Sequence, residues 1–398
     1  LLGECDLIMS FLMYNDISAM SRLHRSASAQ MSRPAISIQK SGGWTFGSPS
    51  VLMMFYRAPG ELQSELQEMD ECMPHYYKIT NGHGQGAETI MRAEADFMRA
   101  CFADAQIMLE RAYAQIDGNG QENMALCCDF LAWRLSLCTS FTPRESFEQR
   151  REALLGLHNV AWLNILQSSC AYYYALLGLP EKIPAVFREH QLASIHFLAP
   201  GKPMMELIEN QVYLAQGEYA KVIGHSEALL GMCEAMHYAL VALHIRLQTA
   251  AAYEMLGKRE TADELLISAL AAAEPDALYL PFVENYRYLK TALTRGAGAK
   301  FAAFVRTVTP LGEDFVRRCG EKRAEGSRPA ALAGLTERES AIAALVAKRL
   351  SNREIAEQLF LSEGSVKQYI NQIYSKLLIT GDVRTKRKRL AELAAPKS

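Results

Sequence analysis

The chain has 398 residues, 49% of them apolar and 22% charged, and a formal net charge of −2. It is too long for one ordinary core and too apolar for disorder, so at least two globular domains are expected. No apolar run reaches the roughly 18 to 20 residues that a membrane-crossing helix needs, so no membrane partner is expected and the cytoplasm is the expected compartment.

The first residues, "LLGECDLIMS", carry two acids, no basic leader and no initiator Met, and they begin inside a helical pattern. They do not read as a signal peptide, and the chain is expected to be a fragment or a processed product. From there to about residue 318, apolar residues recur at three- and four-residue spacing without strand-like alternation, which predicts helices throughout. The segment "SIQKSGGWTFGSPSV", 37–51, interrupts this pattern and predicts a surface loop pinned by Trp44 and Phe46, with a ligand-lining role as the sharper alternative. "NGHGQGAETI", 81–90, is glycine-rich and opens a helix, but it follows no strand and lacks the lysine of a phosphate-binding loop. It predicts a turn between helices.

Turn positions recur every 39 or 40 residues, at Gly60, Ala100, Thr139, Gly178, Gly217 and Gly257, with Gly296 to Gly298 next in register. Each unit reads as a helix, a tight turn and a second helix, which must stack on its neighbours to bury its apolar face. Pieces such as "AYEMLG" and "YLAQGEY" resemble the tetratricopeptide class of helical solenoid. The period is longer than that class's ordinary 34 residues, so no peptide-clamp residues carry over.

The nine cysteines are scattered, form no C-x-x-C, and mostly sit in apolar helical runs such as "CCDFLAWRLSLC". Buried reduced thiols are expected, and no metal site. With no H-E-x-x-H and no G-x-S-x-G, neither an enzyme nor a cofactor is expected in this chain.

"EKRAEGSRPAALAG", 321–334, has no period and predicts a linker, dividing the chain into a helical-repeat domain, 1–320, and a small domain, 335–398. Residues 332–398 hold 12 Lys+Arg against 7 Asp+Glu, a net of +5, which leaves −7 for the rest of the −2 total. A basic end on an acidic body predicts a polyanionic partner for that end.

Three helix starts follow. Thr336 with Glu339 and Ser351 with Glu354 form T/S-x-x-E capping boxes, and Ser362 is a third N-cap. The "FLSE" corner between the last two gives helix-turn-helix proportions. On the third helix, Val366, Ile370, Ile373 and Leu377 fall on one arc, the expected buried stripe. Gly364, Gln368, Asn371, Gln372 and Ser375 lie opposite, flanked by Lys367 and Lys376. Amides are suited to base edges, adenine above all, and flanking lysines to phosphates. The run Arg384 to Arg389 holds five bases, among them Lys386, Arg387 and Lys388, and is compatible with phosphate contact.

This stretch resembles the LuxR-type helix-turn-helix. The resemblance rests on Leu335-Thr336-Glu337-Arg338-Glu339, on Leu350-Ser351 with Glu354-Ile355-Ala356, on Ser362 with Ser365-Val366-Lys367, and on Lys376-Leu377. It implies that Lys367, Gln368 and Asn371 face the bases of double-stranded DNA, and that Ser365 and Arg353 touch phosphate. Two features depart from the family: Arg349 stands where a Gly usually closes the first helix, and the basic run leaves little room for an apolar dimer face. A solenoid followed by this module is similar to the bacterial MalT-like regulators, whose nucleotide-binding domain would lie upstream of Leu1. The resemblance implies an all-α transcriptional regulator whose solenoid receives a small effector or a protein. It also admits RNA polymerase and a second copy on the DNA as partners. A solenoid acting mainly as a scaffold that recruits partners to DNA is the alternative.

Overall fold

The computed structural model describes residues 1–195, 197–296, 298–326 and 334–394, which are helical with no strand among them. The chain divides into two compact units, Leu1–Cys319 and Gly320–Ser398. No helix among the described residues is long and apolar enough to cross a membrane.

The larger unit is built of helix pairs. Ala87–Met98 packs on Phe102–Ile116, Lys202–Gln216 on Tyr219–Ala235, and Ala239–Met255 on Arg259–Ala273. Neighbouring pairs also touch: Lys202–Gln216 lies against Ala239–Met255, and Ala87–Met98 against Glu122–Cys138. Each helix thus buries one face in its own pair and another against the next pair, and the buried apolar residues of the unit form one main cluster.

The predicted turns fall where the chain needs a left-handed residue. Ala100, Gly178, Gly217, Gly257 and Gly298 have φ between +56 and +77, and Gly60 has +87. At Gly178, Gly217 and Gly257 the next amide reaches back five residues to a carbonyl, for example Lys258 to Tyr253 at 2.9 Å. Thr139 differs. Its backbone is extended (φ −136), and its hydroxyl closes the helix by donating to the Leu135 carbonyl.

The loop 37–51 is a surface loop only in its first half, where Ser37, Gln39, Ser41 and Gly43 are exposed. Thr45, Ser48 and Ser50 are fully buried, and the Asn123 carboxamide oxygen accepts from the amides of Trp44 and Thr45 at 2.6 and 2.9 Å. The glycine-rich turn 81–86 lies against it. A Cβ on Gly84 would stand 2.4 Å from the Trp44 ring, so the close approach requires glycine there. Long-range bonds tie early residues to late ones. The Tyr56 hydroxyl donates to Asp276 at 2.7 Å, and the Ala239 amide to the Tyr56 carbonyl at 3.1 Å.

At the centre, Arg134 and Glu284 form an ion pair at 2.8 Å with both side chains 1% exposed. The Tyr172 hydroxyl donates to the same carboxylate at 2.8 Å, and the rings of Phe97 and Phe130 flank the guanidinium. Most cysteines are buried and none is in a disulfide among the described residues, and burial pushes the thiol of Cys233 up to about 12; Cys5 and Cys101, however, are exposed.

The expected linker begins inside a helix, since Ala302–Gly326 is continuous. The rest of that segment, 327–333, lies outside the described residues.

Candidate nucleic-acid interface

From residue 334 on, the described residues of the smaller unit form four helices, Glu337–Ala347, Asn352–Leu359, Glu363–Lys376 and Val383–Ala394. The first three start where their caps predict. The Glu339 amide donates to the Thr336 hydroxyl at 3.3 Å while the Thr336 amide donates to the Glu339 carboxylate at 2.7 Å. Ser351 and Glu354 repeat this box, and the Ser362 hydroxyl accepts from the Ser365 amide at 3.0 Å. Asp382 caps the fourth helix by accepting from the Thr385 amide at 2.8 Å.

The helices end alike. Arg349, Phe360 and Leu378 all have positive φ, +62, +54 and +51. After each, an amide reaches back five residues: Leu350 to Leu345, Leu361 to Ala356, and Ile379 to Tyr374. Arg349 therefore adopts the conformation that a glycine usually supplies, so the corner keeps its geometry despite the substitution.

Val366, Ile370 and Ile373 are buried as the wheel predicts, packed with Leu335, Ile342, Val346, Ile355 and Leu390. Tyr374 joins them in the core, while Leu377 is only half-buried against it. This fixes the rotation of the third helix. Its other face, Gly364, Lys367, Gln368, Asn371, Gln372, Ser375 and Lys376, lines one surface depression of 730 Å³ together with Glu339. Lys367, Gln368 and Asn371 are exposed and make no hydrogen bond or ion pair among the described residues.

The expected phosphate residues divide into two groups. Arg353, Arg384 and Lys388 are exposed, with Arg353 in an i,i+4 pair with Glu357 and Lys388 3.9 Å from Glu392. Such exposed pairs contribute little and leave the cation available. The others are engaged inside the unit. Arg387 donates to the Asn352 side chain at 2.7 Å and to the Leu350 carbonyl at 2.6 Å, bracing the fourth helix against the start of the second. Lys386 lies over the Tyr374 ring at 5.8 Å, and the half-buried Ser365 hydroxyl is bonded to that of Ser362 at 2.8 Å. Lys376 donates to Glu339 at 2.7 Å.

The sequence places Glu339 in a capping box but gives no sign of its pairing with Lys376. Burial alone would raise its carboxyl, but the hydrogen bonds from Lys376 and from Thr336 outweigh it and hold the group below the usual carboxylate range. The pairing spans 37 positions, and only its capping half is visible in a local motif.

Residues 333–387 match the family model described as bacterial regulatory proteins, luxR family. Over 63 residues the chain is 41% identical to the transcriptional regulatory protein LnrK of Bacillus subtilis, covering 15% of this chain and 29% of that one. Over 46 residues it is 39% identical to the DNA-binding transcriptional activator DevR/DosR of Mycobacterium tuberculosis, covering 12% of this chain and 21% of that one. The chain thus spans less than a third of either curated relative, and no solved structure matches it. The C-terminal part of this chain, with its capped helices and its family match, is a LuxR-type helix-turn-helix domain.

Proposed function

We propose that this chain is a DNA-binding transcriptional regulator of the MalT-like kind, not an enzyme. Its C-terminal domain reads the major groove, and its tetratricopeptide-like helical unit receives the controlling effector or partner. The observation that carries this reading is the outward face of the helix Glu363–Lys376. That face offers Gln368, Asn371 and Gln372 with Lys367, unpaired and exposed, opposite a stripe that fixes the helix rotation. A helix with donor–acceptor amides on its exposed side fits the width and the hydrogen-bond pattern of the major groove. The exposed Arg353, Arg384 and Lys388 supply the cations that position such a helix on the phosphates. The names of LnrK and DevR/DosR support the same role.

The test is selection of bound sites from random double-stranded DNA with the full 398-residue chain. Enrichment of a defined motif, and its loss with Gln368→Ala and Asn371→Ala together, is expected. Recovery of unenriched DNA would overturn the reading.

A further inference from the structure

A cavity of 980 Å³ lies along the helix Ala239–Met255 of the helical unit. Residues 239, 242, 243, 246, 249 and 253 of that helix line it, a three- and four-residue spacing that puts one helix face along its length. The helices Tyr219–Ala235 and Arg259–Ala273 form its sides, and the segment 56–59 closes one end, held there by the Ala239–Tyr56 backbone bond. Such a volume suits a small organic ligand, for which pockets run from about 300 to 1,000 Å³.

Three of the polar side chains that line this cavity keep atoms without a partner. Arg246 is half-buried and makes no hydrogen bond or ion pair among the described residues. The Tyr238 side chain is fully buried, and its hydroxyl has no hydrogen-bond partner. Arg57, on the segment 56–59, pairs with Asp16 at 3.2 Å but leaves its Nε buried and unbonded. Buried polar groups are normally satisfied, and an arginine with which no carboxylate is paired is a fork that can take an anion. The two acids that line the cavity, Glu227 and Glu234, are exposed and stand on the helix Tyr219–Ala235. Leu243 and Leu265 supply apolar surface beside Arg246.

We propose that this cavity is the effector site, and that it takes a small organic anion, a carboxylate or phosphate on an apolar body, with Arg246 holding the charge and the Tyr238 hydroxyl a second polar atom. The proposal rests on reading the helical unit as the receiving part of a regulator. Arg246 discriminates charge, and the leucine-lined wall discriminates shape.

Two fluorescent probes test it on the full chain: anilinonaphthalene sulfonate, an aromatic anion, and Nile red, a neutral dye. The anion should bind at one saturable site. Arg246→Gln should weaken it about tenfold or more, as expected for loss of a charge-assisted hydrogen bond, and leave Nile red unchanged. Arg246→Lys should restore part of the affinity. Ser268→Trp, an exposed lining position, should exclude both probes by filling the cavity. The proposal is overturned if Arg246→Gln keeps full affinity for the anion, or if both probes weaken in step. DNA binding by the same preparations is read separately, so a failure of the regulator reading leaves the anion result interpretable.

Discussion

Lys376 and Glu339 are joined at 2.7 Å, so the last turn of the helix Glu363–Lys376 is fastened to the capping box that opens the domain's first helix. Glu339 is 4% exposed, and its carboxylate accepts from two donors, the Lys376 ammonium and the Thr336 amide. The lysine therefore acts first as a brace. Replacing Lys376 by Ala should loosen the third helix against the first yet leave the salt dependence of DNA binding nearly unchanged. Lys367→Ala should lower the slope of log affinity against log salt by about one, as for one lost phosphate contact. Equal slope changes in titrations of the two variants would refute this division.

The same carboxylate predicts an acid limb. A group whose folded pKa lies below its unfolded value stabilises the fold fully above that unfolded value, 4.5 for glutamate, and loses the contribution as pH falls through the lower folded value. Glu354 and Asp382 are also lowered, chiefly by the backbone amides they cap. The domain's stability should thus be level near neutrality and fall below about pH 4.5. Glu339→Gln should flatten part of that fall. Hydrogen exchange of the domain's amides from pH 6 to pH 3.5, corrected for intrinsic rates, measures it.

The helix ends give a test in the stabilising direction. Arg349, Phe360 and Leu378 hold left-handed backbone at non-glycine residues, which costs roughly 1 kcal/mol each. Phe360 is 96% exposed, so its side chain returns little packing energy. Phe360→Gly is expected to stabilise the domain by up to about 1 kcal/mol, less the entropy that glycine adds to the unfolded chain. Slower exchange of the Leu361 amide, which closes that corner, is the readout.

In the helical unit, the Arg134–Glu284 pair is buried on both sides and shared with Tyr172. Removing one partner strands the other charge, so Glu284→Ala should destabilise the unit by about 3 to 5 kcal/mol. Arg134→Met with Glu284→Leu should recover most of that loss. Urea unfolding followed by helical circular dichroism distinguishes the outcomes, and a single-variant cost below about 1 kcal/mol would refute the assignment.

What was legible in the sequence was whatever is encoded within one turn or one repeat. The capping boxes at Thr336 and Ser351, the Val366/Ile370/Ile373 stripe and the positive-φ turns at Gly178, Gly217 and Gly257 are set by contacts three to five residues apart. The Asn123 clamp on Thr45, the Tyr56–Asp276 bond and the Arg134–Glu284 pair join residues 78, 220 and 150 positions apart, and no local pattern announces them. For the same reason Lys376 and Arg387 read as free cations, since Glu339 and Asn352 approach only once the helices pack.

The reading of DNA divides the exposed residues by chemistry. Gln368 and Asn371 carry no charge, so what they gain from DNA comes from hydrogen bonds to particular base edges. Replacing either by Ala should cost about 1 to 3 kcal/mol on the selected site and relax preference at one or two base pairs. On the proposed function, Arg384 and Lys388, as exposed cations, should meet any sequence alike. Replacing both should weaken selected and scrambled DNA by similar factors and flatten the salt dependence, because the gain there is counterion release. None of these four side chains lies in the buried cluster, so neither variant class should lower the domain's stability, and hydrogen exchange serves as the control. Titrations of selected and scrambled duplexes at two salt concentrations decide the matter. If the Gln368 and Asn371 variants lose affinity equally on both duplexes, those residues do not read the bases, and the domain's preference comes from the shape of the DNA instead.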